Sequence, residues 1–278
     1  MSKFNICLVQ PKNYIHSMAF LELGELIQYS LIELGHTATL GFNHIEPTHK
    51  NIVIGCHLLP PSAIPSLPKS TIILNTEQIY KDDSAWNKNI FSWGQQFELW
   101  DYSHKNMEKF NELGITHAKH LRIGYQKELE RLNRNTKKEV DILFYGSMNE
   151  RRHAVLQELT EKGLNVKTLF GIYGKERDEW IEKTRIVLNH HYYASQIFEV
   201  VRVSYLITNS VAVVAEVNET TAIEDLYRRS IHPAPYEQLT ESCLQLIINS
   251  ASRAKLQEIA SNEIKQYPQK FFTESILE

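Results

Sequence analysis

Gly146-Ser147, followed shortly by Arg151-Arg152, is a pattern that can hold an anion. A strand that ends on a glycine turn and runs into a helix leaves backbone N–H groups and the positive end of the helix dipole facing outward, which suits a phosphate. Two arginines in the first helical turn add fixed positive charge and bidentate donors. The bland alternative is a plain strand–helix turn with a solvated basic start. Downstream, Gly171-Ile172-Tyr173-Gly174 offers a backbone that can approach a nucleobase and a ring that can stack on it, unless the glycines only serve the turn. Glu199 and Arg202 are three apart and share a helix face. A surface pair of that kind contributes only a few tenths of a kcal/mol. The apolar flank Phe198…Val200-Val201…Val203 argues against a wholly exposed helix, however.

His190 and His191 stand beside Tyr192 and Tyr193 at a strand's end. Neighbours on a strand point to opposite faces, so the two histidines cannot share one metal. Neither an HxH nor an HExxH pattern accompanies them, and no metal is expected. One histidine, with Tyr192, is expected to meet a ligand's phosphate or sugar, and the other to pack; His191 is the choice for contact. In the first half of the chain, His16, Glu77 and Asp101 each follow a strand and could take a proton from a hydroxyl. Any of the three could equally be a helix cap or a loop hydrogen-bonder, and the choice among them stays open.

The elements that position these residues alternate. Val140-Asp141-Ile142-Leu143-Phe144-Tyr145 reads as a strand buried on both faces, followed by an amphipathic helix through Val155, Leu156 and Leu159 and a stop at Gly163. Further strands are expected at 165–170, 186–189 and 212–215, with a helix from about Gln196 to Leu206. The first half repeats the rhythm. Strands are expected at 5–10, 36–42, 52–55, 71–74, 99–103 and 118–123. A helix with apolar positions 19, 20, 23, 26, 27, 30, 31 and 34 stops at Gly35. Pro60-Pro61…Pro65…Pro68 reads as an irregular connection and His232-Pro233-Ala234-Pro235-Tyr236 as a turn. Residues 126–139 are highly charged without a core-facing stripe and read as a linker. The expected class is therefore α/β: two Rossmann-like, doubly wound parallel-sheet domains facing each other across a cleft. The first covers 1–125 and the second 140–260, with a helical tail at 261–278.

A chain of 278 residues is long enough for two cores at roughly 150 residues per domain. The net charge of −3 supplies no broad basic field for nucleic acid, although it leaves room for a local patch. Cys7, Cys56 and Cys243 have no metal spacing and read as buried thiols. The start of the chain does not read as a secretory leader, and no apolar run reaches the ~18 residues of a membrane span, so a soluble cytoplasmic protein is expected.

The runs Asp-Ile-Leu-Phe-Tyr-Gly-Ser…Glu-Arg-Arg, Phe-Gly-Ile-Tyr-Gly-Lys-Glu-Arg-Asp and Val-Leu-Asn-His-His-Tyr-Tyr…Phe-Glu-Val-Val-Arg resemble the donor-binding half of bacterial GT-B glycosyltransferases. Among these they look most like the short "glycosyltransferase family 1-like" group. The likeness is dense over 140–216. It departs from the family 4 pattern of two glutamates eight residues apart, since only Glu199 is in place. The resemblance implies a metal-independent enzyme without cofactor. It would move a sugar from a nucleoside-diphosphate sugar to a hydroxyl acceptor, with Glu199 accepting the ribose hydroxyls. It also implies that the tail returns to the first domain. Two other functions suit the same fold: a sugar-nucleotide or glycan-binding protein that lacks the base, and a phage or viral enzyme that glycosylates DNA. The first would show no slow donor hydrolysis; the second needs a basic first domain, where Lys and Arg are sparse over 1–120.

Overall fold

The structure, a computed structural model, describes residues 1–79, 85–192 and 197–278. It divides into two compact units, one of residues 1–126 with 269–278, the other of 127–268. Each unit has its own parallel sheet.

The first sheet contains β1 (Lys3–Leu8), β2 (Thr37–Phe42), β3 (Lys50–Ile54), β4 (Ile72–Asn75), β5 (Glu98–Asp101) and β6 (Lys119–His120), in the order β2-β1-β3-β4-β5-β6. Register places Cys7 beside Val53, Val53 beside Ile73 and Ile73 beside Leu99. These four form a ridge across the sheet, covered by Ile90, Trp93 and Phe110. The inner strands β1, β3, β4 and β5 are mostly buried, which is why they read as apolar runs, whereas the edge strand β2 is largely exposed. Helices α1 (Leu21–Glu33), α2 (Ala85–Gly94) and α3 (His104–Glu112) complete the crossovers. The proline stretch expected to be irregular contains a 3-10 turn, Pro61–Ser66, which proline permits at its first position.

The second sheet contains β7 (Val140–Tyr145), β8 (Val166–Leu169), β9 (Thr184–Asn189), β10 (Ala212–Glu216) and β11 (His232–Ala234), in the order β11-β10-β9-β7-β8. Its helices are α4 (Glu150–Glu161), α5 (Gly174–Glu182), α6 (Val200–Thr208), α7 (Asp225–Ser230), α8 (Leu239–Ile248) and α9 (Ser250–Ile264). Ile142, Ile186 and Ala212 lie side by side, with Leu188 and Val214 two residues on, against Leu239, Cys243 and Leu246 of α8. The stretch read as a turn at 232–236 supplies the edge strand β11, where Pro233 is tolerated because an edge needs no further donor. Helix α6 begins at Val200, and the expected start near Gln196 lies outside the described residues.

Residues 127–139 do not hang free. The Asn209 carboxamide accepts from the N–H groups of Arg131 and Leu132 (2.8 and 2.9 Å) and donates to the Leu129 carbonyl (2.9 Å). Glu182 accepts from Asn133 N–H and the Thr136 hydroxyl. The segment belongs to the second unit through polar stitching, which no hydrophobic period reveals. The last helix, α10 (Gln269–Leu277), belongs to the first unit: Thr273 hydrogen-bonds Ser30 of α1, and the Gln269 side-chain Oε1 accepts from Gly124 N–H.

Candidate functional site

In a doubly wound sheet, ligands gather outside the carboxyl ends of strands, where the strand order reverses. In the second domain that point lies between β7 and β9. Strand β7 ends at Tyr145, and Gly146 turns the chain with φ +137, a backbone state that side chains disfavour. A Cβ there would stand 3.1 Å from Arg202 Nη2 and 3.5 Å from Arg152 Nη1, so the turn needs glycine for space as well as for φ. Asn149 then caps α4: its side chain accepts from Arg152 N–H (2.9 Å) and donates to the Tyr192 carbonyl (3.0 Å).

The two arginines behave differently. Arg152 is 2% exposed, and its guanidinium is committed to protein acceptors. Nε and Nη2 donate to the His190 carbonyl (3.1 and 2.6 Å), Nη1 to the Ser147 carbonyl (2.9 Å) and Nη2 also to Glu199 (2.8 Å). Arg152 is expected from the sequence to grip a phosphate; in the structure its donors tie the β7 and β9 loops to Glu199. Arg151 is partly open. Its guanidinium donates two hydrogen bonds to the Glu216 carboxylate and lies over the Tyr236 ring at 3.8 Å, and its carbonyl accepts from Tyr236 Oη (2.9 Å). Glu216, fully buried, also accepts from His191 N–H (3.0 Å) and Asn218 (2.9 Å).

Glu199 sits just before α6, bridging Arg152 and Arg202. Arg202 donates onward to Asn189 Oδ1 (3.0 Å) and lies over the Tyr145 ring. Burial pushes the Glu199 carboxyl up, but Arg202 and then Arg152 outweigh it, leaving it below the usual glutamate range. Glu216 is held low in the same sense, burial being overcome by Arg151, Asn218 and His191 N–H. Three guanidiniums against two ionised carboxylates leave the cluster with one net positive charge.

At its centre, several buried polar atoms have no hydrogen-bond partner among the described residues: Asn189 Nδ2, both ring nitrogens of His190, and His191 Nε2. Burial, with the Arg152 charge second, pushes His190 down to about 3, and burial lowers His191, so both rings are neutral at pH 7. Gly146, Ser147, Arg151, Arg152, His191, Tyr192, Glu199 and Arg202 therefore form one connected group. Gly171, Tyr173 and Gly174 lie beyond β8, the neighbouring strand, where an added Cβ on either glycine meets nothing. Sequence reading missed Asn189, Glu216 and Tyr236 as partners and left His190 as the packing histidine. Their one signal was position at strand ends.

In the first domain, His16 and Glu77 line one small pocket, with Tyr14 and His57, at the carboxyl ends of β1, β3 and β4. His57 Nε2 stands 3.5 Å from Glu77 Oε1. Burial raises the Glu77 carboxyl to about 7 and lowers His57 to about 4. Asp101 is different. It is fully buried and accepts from Asn75 (2.7 Å), Asn106 (2.9 Å) and Ser103 N–H (2.7 Å). No acceptor hydroxyl reaches a carboxylate so enclosed. Asn75 and Asn106 also donate to the Glu77 carbonyl, so Asp101 holds the loop that carries Glu77. Among the described residues, no group of three or more His, Cys, Asp or Glu could hold a metal ion, and no helix is long and apolar enough to cross a membrane.

No family model matches the chain. It is similar to uncharacterized proteins of Acanthamoeba polyphaga mimivirus. L140 is 25% identical over 248 residues, covering 86% of this chain and 76% of L140. L138 is 26% identical over 219 residues, and the match takes in only 23% of its length. Among solved structures, HepE of Anabaena in complex with UDP-glucose aligns with TM-score 0.62 at 10% identity, over 100% of this chain and 98% of that one. T4 phage BGT with its UDP-glucose substrate aligns with TM-score 0.61 at 10% identity, over 99% and 98%. The fold is that of the GT-B glycosyltransferases. TarM shares it with TM-score 0.57 and 14% identity, although this chain spans only 57% of TarM. Against HepE and BGT the GT-B likeness runs the length of both chains, first sheet and second sheet alike.

Proposed function

We propose that the chain is a glycosyltransferase of the short family 1-like GT-B group, using a uridine-diphosphate sugar and a hydroxyl acceptor. The observation that carries this reading is the cluster at the ends of β7, β9 and β10, where net positive charge meets buried polar atoms without partners among the described residues. An unpaired buried donor or acceptor leaves a desolvation penalty of about 1–3 kcal/mol, which a ligand can relieve. Structures of the same fold hold UDP or UDP-glucose, which supports a uracil nucleotide as the first choice.

In this reading the second domain binds the donor. The α4 amino terminus and Arg151 face the diphosphate, while Arg152 and Arg202 supply field and hold Glu199 toward the ribose. His191 and Tyr192 border the sugar, and Tyr173 between its glycines borders the base. Departure of the nucleoside diphosphate places charge on phosphate oxygens, and fixed guanidiniums stabilise that charge without a metal or cofactor. The first domain binds the acceptor, and Glu77, backed by His57, takes its proton.

Thermal unfolding with UDP, UDP-glucose, UDP-galactose, ADP, GDP and uridine tests the donor. UDP at 100 times its dissociation constant adds about 2.7 kcal/mol of apparent stability. No shift with any diphosphate overturns the reading. Slow release of glucose from UDP-glucose, lost in Glu77→Gln, separates an enzyme from a binding protein.

A further inference from the structure

We infer that the second domain has another small-molecule site, at the opposite end of its strands, built for a neutral saccharide. A pocket of about 430 Å³ opens at the amino ends of β9 and β10, beside Thr184 and Val211. The arginine cluster lies at the carboxyl ends of these strands, so the two sites are separated by the length of the sheet. The volume falls in the ~300–1,000 Å³ range of small-molecule sites. One wall is a face of α9 carrying Gln257, Glu258, Ser261 and Asn262, spaced to project together. The other is the stitched segment that precedes β7, with Ser210 at the base.

The hydrogen-bonding state of these groups selects the ligand. The cations are committed. Arg134 and Lys265 both pair with Glu130, at 2.5 and 3.1 Å, and Lys138 Nζ donates to the Glu182 carbonyl at 2.6 Å. A phosphate or carboxylate would find no cation without breaking one of these links. The neutral groups divide: Asn133, Thr184 and Asn209 are bonded within the fold, whereas the others keep open hydrogen-bonding capacity. Ser210, 8% exposed, has a hydroxyl with no partner, and Gln257 donates to the Ser210 carbonyl (2.9 Å) while its own carbonyl stays open. The side chains of Ser261 and Asn262 make no hydrogen bond among the described residues, and the Glu258 carboxylate adds acceptors only. That set mixes donors and acceptors, as a sugar requires, because each hydroxyl both donates and accepts. Leu132, Ile181 and Val211 give the apolar patch that a pyranose C–H face covers. Among the described residues no aromatic ring lines the pocket, which keeps the affinity modest.

Such a site anchors one sugar unit of a glycan away from the donor, and it stands whether or not the donor reading does. The test is amide NMR of the full chain titrated separately with the methyl glycosides of glucose, galactose and N-acetylglucosamine, inorganic phosphate, and UDP. At least one glycoside is expected to shift residues 132–138, 209–211 and 257–265. In Asn262→Trp, a change at an exposed position that fills the mouth, glycoside affinity should fall at least about tenfold. UDP should act elsewhere, around 146–152, and equally in the variant; its failure there would count against the donor site alone. Shifts of these pocket residues by phosphate and by no glycoside overturn the saccharide assignment. Absence of any response leaves only a solvent-filled groove and overturns it too, as does undiminished glycoside binding in Asn262→Trp.

Discussion

Glu199 shows why one carboxylate can hold a site together. Each of its oxygens already meets a guanidinium, Arg152 on one and Arg202 on the other, yet each keeps a second lone-pair direction. Replacing it with glutamine removes the charge and leaves buried Arg152 without its counter-ion. Glu199→Gln is expected to lower donor affinity by about 10- to 150-fold, the equivalent of roughly 1.5–3 kcal/mol. It should also lose part of the preference for ribo- over 2′-deoxy-UDP. Arg202→Met keeps the carboxylate and tests positioning, so calorimetry of both variants with both nucleotides separates contact from support. Equal affinities for wild type and Glu199→Gln would place the donor elsewhere. Glu77 makes a second residue-scale prediction. With its carboxyl raised to about 7, it is half ionised at neutrality, where a base has both strength and availability. Transfer rate should climb with pH through about 7, and Glu77→Gln should slow turnover by about 10²–10⁴-fold and remove that rise. A profile that stays flat between pH 6 and 8 rules Glu77 out as the base.

At the scale of elements, the legible parts were those whose burial is written in apolar residues. Val140–Tyr145 is one such run; its lone Asp141 is explained by Arg185 and Asn165 N–H at the strand's half-exposed start. Elements held by polar bonds were not legible. The charged stretch before β7 looks like a linker until Asn209 and Glu182, far along the chain, are seen to bind it. Strand β11 has three residues and a proline, too little for a periodic signal. Helix α2 was passed over although Ile90 and Trp93, three apart, are both fully buried, because asparagines and serine dilute its propensity. The strand–glycine–helix unit was legible as a unit, but the commitment of Arg152 was not, since its acceptors are backbone carbonyls of other loops. That unit gives an element-scale prediction. At Gly146 an alanine meets both a left-handed φ and two guanidiniums. Gly146→Ala should destabilise the second domain by about 1–3 kcal/mol and weaken UDP binding. A melt and a titration of the variant check both, and an unchanged melting temperature would show that the turn relaxes freely.

Across the whole molecule, the two cores are set to answer pH in opposite directions. In the second domain His190, lowered to about 3, and His191, also lowered, must stay neutral in the folded state. For a base with a depressed folded pKa, stability is present above the unfolded value, near 6.5, and drains as pH falls toward the folded one. At pH 5 His190 alone removes roughly 2 kcal/mol. Glu199 and Glu216, also depressed, lose their contribution at still lower pH, below the unfolded glutamate range. In the first domain His57, at about 4, acts in the same sense, but Glu77 and Asp101, both raised to about 7 by burial, oppose it. An acid with a raised folded pKa gives its full contribution below the unfolded value and loses it as pH rises through 7. Acidification from pH 7 to 5 therefore restores two groups and weakens one there. Hydrogen exchange by mass spectrometry at both pH values, corrected for the intrinsic rate, reads each core separately. Peptides spanning β7 and β9 should lose about 30-fold in protection, whereas those spanning β1, β3 and β4 should hold or gain. His190→Leu should flatten most of the second-domain response and leave the first untouched. Parallel loss in both cores, unaffected by that substitution, would show that neither the buried histidines nor the buried carboxyls govern stability in this range.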